Sequence, residues 1–184
     1  MGILDIFKNN IETESILNNE ITENLTENIF LGFRFGMSPK EANEHIKRLI
    51  AQNRIYTIED KYVYDFYTLL GEKLQTVILL EYYEDKLYQL NLIFPLGIMS
   101  LESMYNELKD IYDIKYDKEG FSIKKKYQMI GKESTMYEKG DLQIRLTQVL
   151  HVQITYENTK TAMEIAQREL DEMAKLSDST LSDI

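Results

Sequence analysis

An α+β fold, with an antiparallel sheet, helices packed on one of its faces and a C-terminal helix, is what this chain of 184 residues predicts. Three observations carry that expectation. Several segments alternate apolar and polar residues with the period of two that half-buried strands show. A helix start with a complete set of capping residues stands at Ser38-Pro39. The same succession of motifs then recurs 62 residues further on, so that Met37-Ser38 aligns with Met99-Ser100 and Leu90, Leu92 and Phe94 align with Val152, Ile154 and Tyr156. The expected architecture is a tandem β-α-β-meander repeat.

Residues 1–28 are rich in Asn, Glu and Thr, and Ile16, Leu17, Ile21 and Leu25 recur at near-helical spacing, which predicts a short amphipathic, acidic arm. Residues 29–98 form the first expected unit. Within it Phe30 to Phe35 alternates like a strand, with Leu31, Phe33 and Phe35 on one side. Ser38 can then cap a helix that has Pro39 at its first position, where no amide donor is needed, and Glu41 three residues after the cap. Ala42, Ile46, Leu49 and Ile50 supply its buried stripe, from about Pro39 to Gln52. Strands follow at Tyr56 to Glu59, Tyr62 to Leu69, Leu74 to Tyr83 and Leu87 to Phe94, the last two joined by a reversal at Glu84-Asp85.

Residues 99–176 form the second expected unit. Ser100 caps its helix, with Met99 and Met104 placed as a hydrophobic staple. Strands are expected at Phe121 to Gln128, Ser134 to Glu138, Leu142 to Thr147 and Val149 to Tyr156, with a hairpin turn at Lys139-Gly140-Asp141. A last helix covers about Thr159 to Lys175, with Ala162, Ile165, Ala166, Leu170 and Met173 as its apolar face, and residues 177–184 are a polar tail. Both ends are expected to be more mobile than the body.

The stretch Phe35-Gly36-Met37-Ser38-Pro39-Lys40-Glu41-Ala42 resembles the strand-to-helix opening of the SmpA/BamE and β-lactamase-inhibitor-protein-like α+β repeats. The likeness covers some fifteen residues here and fewer at the second site, where Ile98 stands for Gly36 and Ser103 for Glu41. It implies a scaffold more often used for protein binding than for catalysis. The lipoprotein signal of SmpA/BamE is missing, so an outer-membrane role does not carry over.

Charge and composition narrow the function. The formal charge of −10 sits almost wholly at the ends, where residues 1–28 hold one lysine against six acids and residues 157–184 three cations against seven. Phosphate binding needs clustered Lys and Arg, so nucleic acid is not an expected partner. Lys124-Lys125-Lys126, with Asp113, Asp117 and Glu119 nearby in sequence, is taken as a solvated strand and loop. No apolar run approaches the roughly 20 residues that cross a bilayer, and no signal peptide is apparent, so a membrane or secreted protein is not expected. The absence of cysteine rules out disulfides and thiolate chemistry and fits a reducing cytoplasm.

No pattern for catalysis, cofactor or metal emerges. His45 and His151 form no metal pair, and His45 is placed on the polar side of its helix as a surface residue. Gly131-Lys132-Glu133-Ser134 lacks the upstream glycine of a phosphate loop. The adjacent acids Glu59-Asp60 and Glu84-Asp85 suit turns better than an acid–base pair. Two binding surfaces remain. If Leu142, Ile144 and Leu146, and Leu150, Val152, Ile154 and Tyr156, face the helices, then Gln143, Arg145, Thr147, His151, Gln153 and Thr155 share the other face, joined by Gln89 and Asn91. Its hydrogen-bonding variety suits a protein partner, and an ordinary wet sheet face has the same pattern. The expected function is a non-catalytic interaction module of inhibitor, immunity or adaptor type. The alternative is a carrier that holds a small apolar ligand between the helices and the Tyr-rich strands around Tyr56, Tyr62, Tyr64, Phe66 and Tyr67.

Overall fold

The computed structural model describes residues 28–95, 97, 99–126 and 134–182. The acidic arm, all but Asn28, and the phosphate-loop-like residues 131–133 lie outside the described residues, as do the last two residues of the tail. Helix α1 (Pro39–Ala51) is followed by strands β1 (Tyr56–Ile58), β2 (Lys61–Tyr67), β3 (Lys73–Tyr83) and β4 (Lys86–Phe94). Helix α2 (Leu101–Lys118) is followed by β5 (Ser122–Lys126), β6 (Ser134–Lys139), β7 (Leu142–Gln148) and β8 (Val152–Asn158), and α3 (Thr159–Ser182) closes the order. All eight strands join one antiparallel sheet in the order β1-β2-β3-β4-β8-β7-β6-β5. A helix and a four-stranded meander thus occur twice in succession, and the two meanders meet where β4 pairs with β8.

The start of α1 carries the capping residues that its sequence demands. Ser38 Oγ accepts from Glu41 N at 3.3 Å, while Ser38 N donates to Glu41 Oε2 at 2.8 Å and Ser38 Oγ to the same oxygen at 2.7 Å. These bonds hold the Glu41 carboxyl below its usual titration range, the backbone donor contributing most. Ser38→Ala is expected to lower stability by about 0.5–2 kcal/mol, and an unchanged urea midpoint would show that the cap is dispensable. Ser100 repeats the cap for α2 through Ser103 N at 3.1 Å.

Both short reversals are built from acids at positive φ: Glu59 and Asp60 at 47° and 61°, and Glu84 and Asp85 at 48° and 58°. Two left-handed residues in a row make a turn whose twist matches that of the flanking strands. These acids therefore serve as turn residues.

One core lies between the sheet and helices α1 and α2. Ala42, Ile46 and Leu49 bury the inner stripe of α1, whereas Ile50, at the edge of that stripe, stays exposed. From α2, Met104, Tyr105, Leu108, Tyr112 and Tyr116 are buried. Leu90, Leu92, Phe94, Ile144, Leu146, Val152 and Ile154 rise from the sheet to meet them and are fully enclosed.

Three expectations are corrected. Phe30 to Phe35 is not a strand: Leu31 and Gly32 have φ of 52° and 82°, and Asn28 and Arg34 form a single bridge. Alternation suggested a strand, but the segment folds back on itself, with Ile29 N bonded to Phe33 O at 2.9 Å, and plugs the core with Ile29 and Phe33. Strand β8 begins at Val152, three residues later than expected, because Val149 N bonds to His151 O in a turn that leaves Leu150 at 77% exposure rather than facing the helices. The last helix continues to Ser182, seven residues beyond Lys175.

Candidate functional site

Strand register decides which polar side chains share the sheet face away from α1 and α2. Three rows cross the central strands β3, β4, β8, β7 and β6. The first is Glu81, Gln89, Glu157, Gln143 and Glu138; the second Leu79, Asn91, Thr155, Arg145 and Met136; the third Val77, Ile93, Gln153, Thr147 and Ser134. Seven of the eight residues singled out in the sequence therefore fall on one face, and His151 reaches it from the preceding turn, its Nε2 at 3.2 Å from Gln153 Oε1.

The polar groups of this face satisfy one another across the β4–β8 junction. Asn91 donates to Glu81 Oε1 at 2.6 Å, and its Oδ1 accepts from both Thr155 Oγ1 and Gln153 Nε2 at 2.8 Å. Gln89 Nε2 donates to Glu81 Oε1 at 3.0 Å. On the other side Arg145 Nη2 donates at 3.1 Å to both Glu157 Oε2 and Gln143 Oε1, and Gln143 Nε2 donates to Glu138 Oε1 at 3.0 Å. Asn91 and Thr155 are only 2% and 8% exposed, so they hold their neighbours in place. A contacting molecule would meet Gln89, Gln143, Arg145, Thr147, His151 and Gln153, all partly exposed.

Arg145 is more constrained than alternation alone indicates. Its side chain is 40% exposed, its ion pair with Glu157 is partly buried, and its Nε is enclosed without a hydrogen-bond partner. An enclosed donor left unsatisfied costs about 1–3 kcal/mol. Replacing Arg145 therefore costs stability as well as a surface contact, because the change also strips a partner from Glu157.

Glu81, Glu138 and Glu157 escaped the sequence reading although they anchor the network. The signal was present for Glu157, which continues the Gln153, Thr155 series by two residues, but the strand was ended too early. Alternation also places Val63, Val77, Leu79 and Ile93 on the same face, giving the first unit an apolar half beside the polar one. Leu79 is 43% exposed there.

The Tyr-rich strands do not converge on a pocket. Tyr62, Tyr64 and Phe66 turn toward the helices, whereas Tyr56 lies on the opposite face, where it donates to Asp65 Oδ1 at 2.6 Å, and Tyr67 is 59% exposed. Tyr64 packs edge-on against Phe30 at 5.3 Å and Phe66 against Phe94 at 5.7 Å, which fills the space that a ligand would need. The two clefts that stand out among the described residues touch neither ring: one of about 490 Å³ runs along α3, the other of about 310 Å³ lies at the β3–β4 hairpin.

His45 is likewise not a simple surface residue. Its Nε2 lies 2.8 Å from Leu31 O, and its ring stands edge-on to Phe33. Gly32, at φ 82°, passes so close that a Cβ there would sit 3.2 Å from the imidazole. His45 thus pins the folded-back segment before α1. Among the described residues no cluster of acids and histidines could hold a metal ion, and no helix is long and apolar enough to cross a membrane. No protein-family model, curated protein or solved structure matches this chain.

Proposed function

We propose that the chain is a non-catalytic protein-interaction module that presents its open sheet face to another protein, in the manner of an inhibitor, immunity protein or adaptor. The observation that carries this reading is the row arrangement: Gln89, Gln143, Arg145, Thr147 and Gln153 stand side by side on three adjacent strands, β4, β8 and β7, with His151 in the turn before β8, and neither α1 nor α2 lies over them. Such a face is rigid before binding, so little entropy is lost when a partner docks. Arg145 is its expected hot spot, because a guanidinium offers several fixed donors and its enclosed Nε gains a partner if the side chain swings outward. Leu79, Val77 and Ile93 supply the apolar contact that a polar surface alone lacks. The absence of cysteine favours a reducing, cytoplasmic setting. The recurrence of helix and meander supports a tandem repeat, the form implied by the SmpA/BamE and β-lactamase-inhibitor-protein-like resemblance.

The test is affinity capture from the native cell with wild type, Arg145→Ala, Gln153→Ala and the helix-side control Lys47→Ala. A protein held by wild type and Lys47→Ala, and bound at least tenfold more weakly by both sheet-face variants, supports the reading. Circular dichroism must show both variants folded at the assay temperature, since each leaves the hydrogen-bond network incomplete. Equal capture by all four sinks it.

A further inference from the structure

Helix α3 turns its polar side to the body of the protein and its apolar side to solvent. Thr161 and Glu164 line the cleft at the β3–β4 hairpin, and Arg168 Nη1 donates to Tyr83 Oη at 3.1 Å and to Glu84 Oε1 at 3.2 Å. At about 100° per residue, Met163, Ala166, Leu170 and Met173 stand on the far side of the helix from Arg168. Those four are exposed, the larger three at 66%, 61% and 63%.

This bare stripe occupies the positions that the two earlier helices bury. Moved back by 62 residues, Ala166, Leu170 and Met173 fall on Met104, Leu108 and Ile111 of α2, and by 62 more on Ala42, Ile46 and Leu49 of α1. Those six lie in the core or pack against it. A meander follows each of the earlier helices and supplies the sheet that covers it, whereas α3 is the last of the described elements. Two thioethers are left in solvent as a result.

Their exposure has a chemical consequence. Methionine sulfur is oxidised to the sulfoxide by two-electron oxidants, for which cysteine thiolates would compete, and this sequence contains no cysteine. Met37, Met104 and Met136 are 8%, 2% and 5% exposed, and Met99 packs against the core, so among the described methionines solvent reaches Met163 and Met173 most freely. Met1 and Met129 lie outside the described residues and do not enter the comparison.

We propose that Met163 and Met173 form a reversible oxidation site for hypohalous acids. A sulfur lone pair takes the chlorine of hypochlorous acid and hydroxide leaves. Water then adds to sulfur, chloride departs and two protons are lost, one of which neutralises the hydroxide. In sum, sulfide and hypochlorous acid give sulfoxide, chloride and one proton, sulfur losing the two electrons that chlorine gains. Two thiols reverse the change, taking the oxygen as water and ending as a disulfide. Each cycle switches the α3 stripe between apolar and polar, while Arg168 holds the other side of the helix to the hairpin. This does not depend on the function proposed for the open face.

The test treats the full-length protein with less than one equivalent of hypochlorous acid and maps the added oxygen by mass spectrometry. Met163 and Met173 should gain it at least tenfold faster than Met37, Met104 and Met136, with the urea midpoint of the oxidised protein unchanged. In denaturing urea the five should react within about twofold of one another, which assigns the selectivity to the fold. Methionine sulfoxide reductases of both stereospecificities, with dithiothreitol, should then return the original mass. Comparable rates at all five in the folded chain would overturn the proposal, as they would if another segment or a second copy shielded α3. A lowered midpoint after oxidation, or a sulfoxide that the reductases cannot remove, overturns it as well.

Discussion

Tyr156→Ala is expected to lower stability by about 3–5 kcal/mol, as truncation of a large buried aromatic does. Tyr156 is 1% exposed, its ring lies 5.9 Å from Phe30, and its hydroxyl meets that of Tyr112 at 2.5 Å. Around it Tyr112, Tyr116 and Tyr137 pack as tilted rings with centroids 5.3–6.1 Å apart. Every hydroxyl with a bond in this group has found a buried or half-buried partner: Tyr105 meets Thr135 at 2.8 Å and Tyr137 donates to Asp113 Oδ1 at 2.8 Å. The Phe variants separate ring from hydroxyl. Tyr156→Phe strands the Tyr112 hydroxyl in the core, at about 1–3 kcal/mol, whereas Tyr112→Phe leaves the Tyr156 hydroxyl its bond with Tyr116 and should cost less. Burial drives the Tyr112, Tyr116 and Tyr156 hydroxyls well above the ordinary tyrosine range. Raised folded-state values mean that the contribution is intact below the unfolded value, near 10, and fades as pH climbs beyond it. Tyrosinate absorbance should thus rise for these rings in one step with unfolding. A Tyr156→Ala midpoint within the error of wild type, or free titration of these rings in the folded chain, would show that the cluster does not hold the core.

The parts of this fold that could be read in the sequence are those where one local rule suffices. Ser38, Pro39 and Glu41 specify a helix start without help from the rest of the chain, and the bonds among them bear this out. Alternation likewise placed Gln143, Arg145 and Thr147 opposite Leu142, Ile144 and Leu146, since successive strand residues must point apart. What failed needed three-dimensional information. Alternation at Phe30 to Phe35 suggests a strand, but two left-handed residues fold the segment under His45. The tyrosines clustered in sequence split between two faces, while the four that cluster in space come from α2, β6 and β8. Of the acids that organise the open face, Glu157 lay one residue beyond the expected end of its strand, and Glu81 could not be placed before the register showed it beside Gln89. Amphipathicity located α3, but not its continuation to Ser182 or the exposure of Leu170 and Met173.

Ile154→Ala should cost about 2–5 kcal/mol and should destabilise both units together. The strand order leaves one seam between the two meanders, the pairing of Gln89–Phe94 with Val152–Glu157. Leu92 and Ile154 face each other at its middle, and both are fully enclosed. They also stand 62 residues apart, the offset at which the sequence motifs recur. A cavity there loosens two halves at once, because the buried cluster runs without a break from Phe33 and Leu49 under α1 to Leu108 and Tyr112 under α2. Hydrogen exchange should therefore accelerate in β2 and β6 alike, and circular dichroism should show a single transition shifted to lower denaturant. Wild-type protection of β2 alongside exposed β6 would mean that the units fold separately and that the seam joins two finished domains, which would remove the rigid, continuous face on which the proposed docking depends.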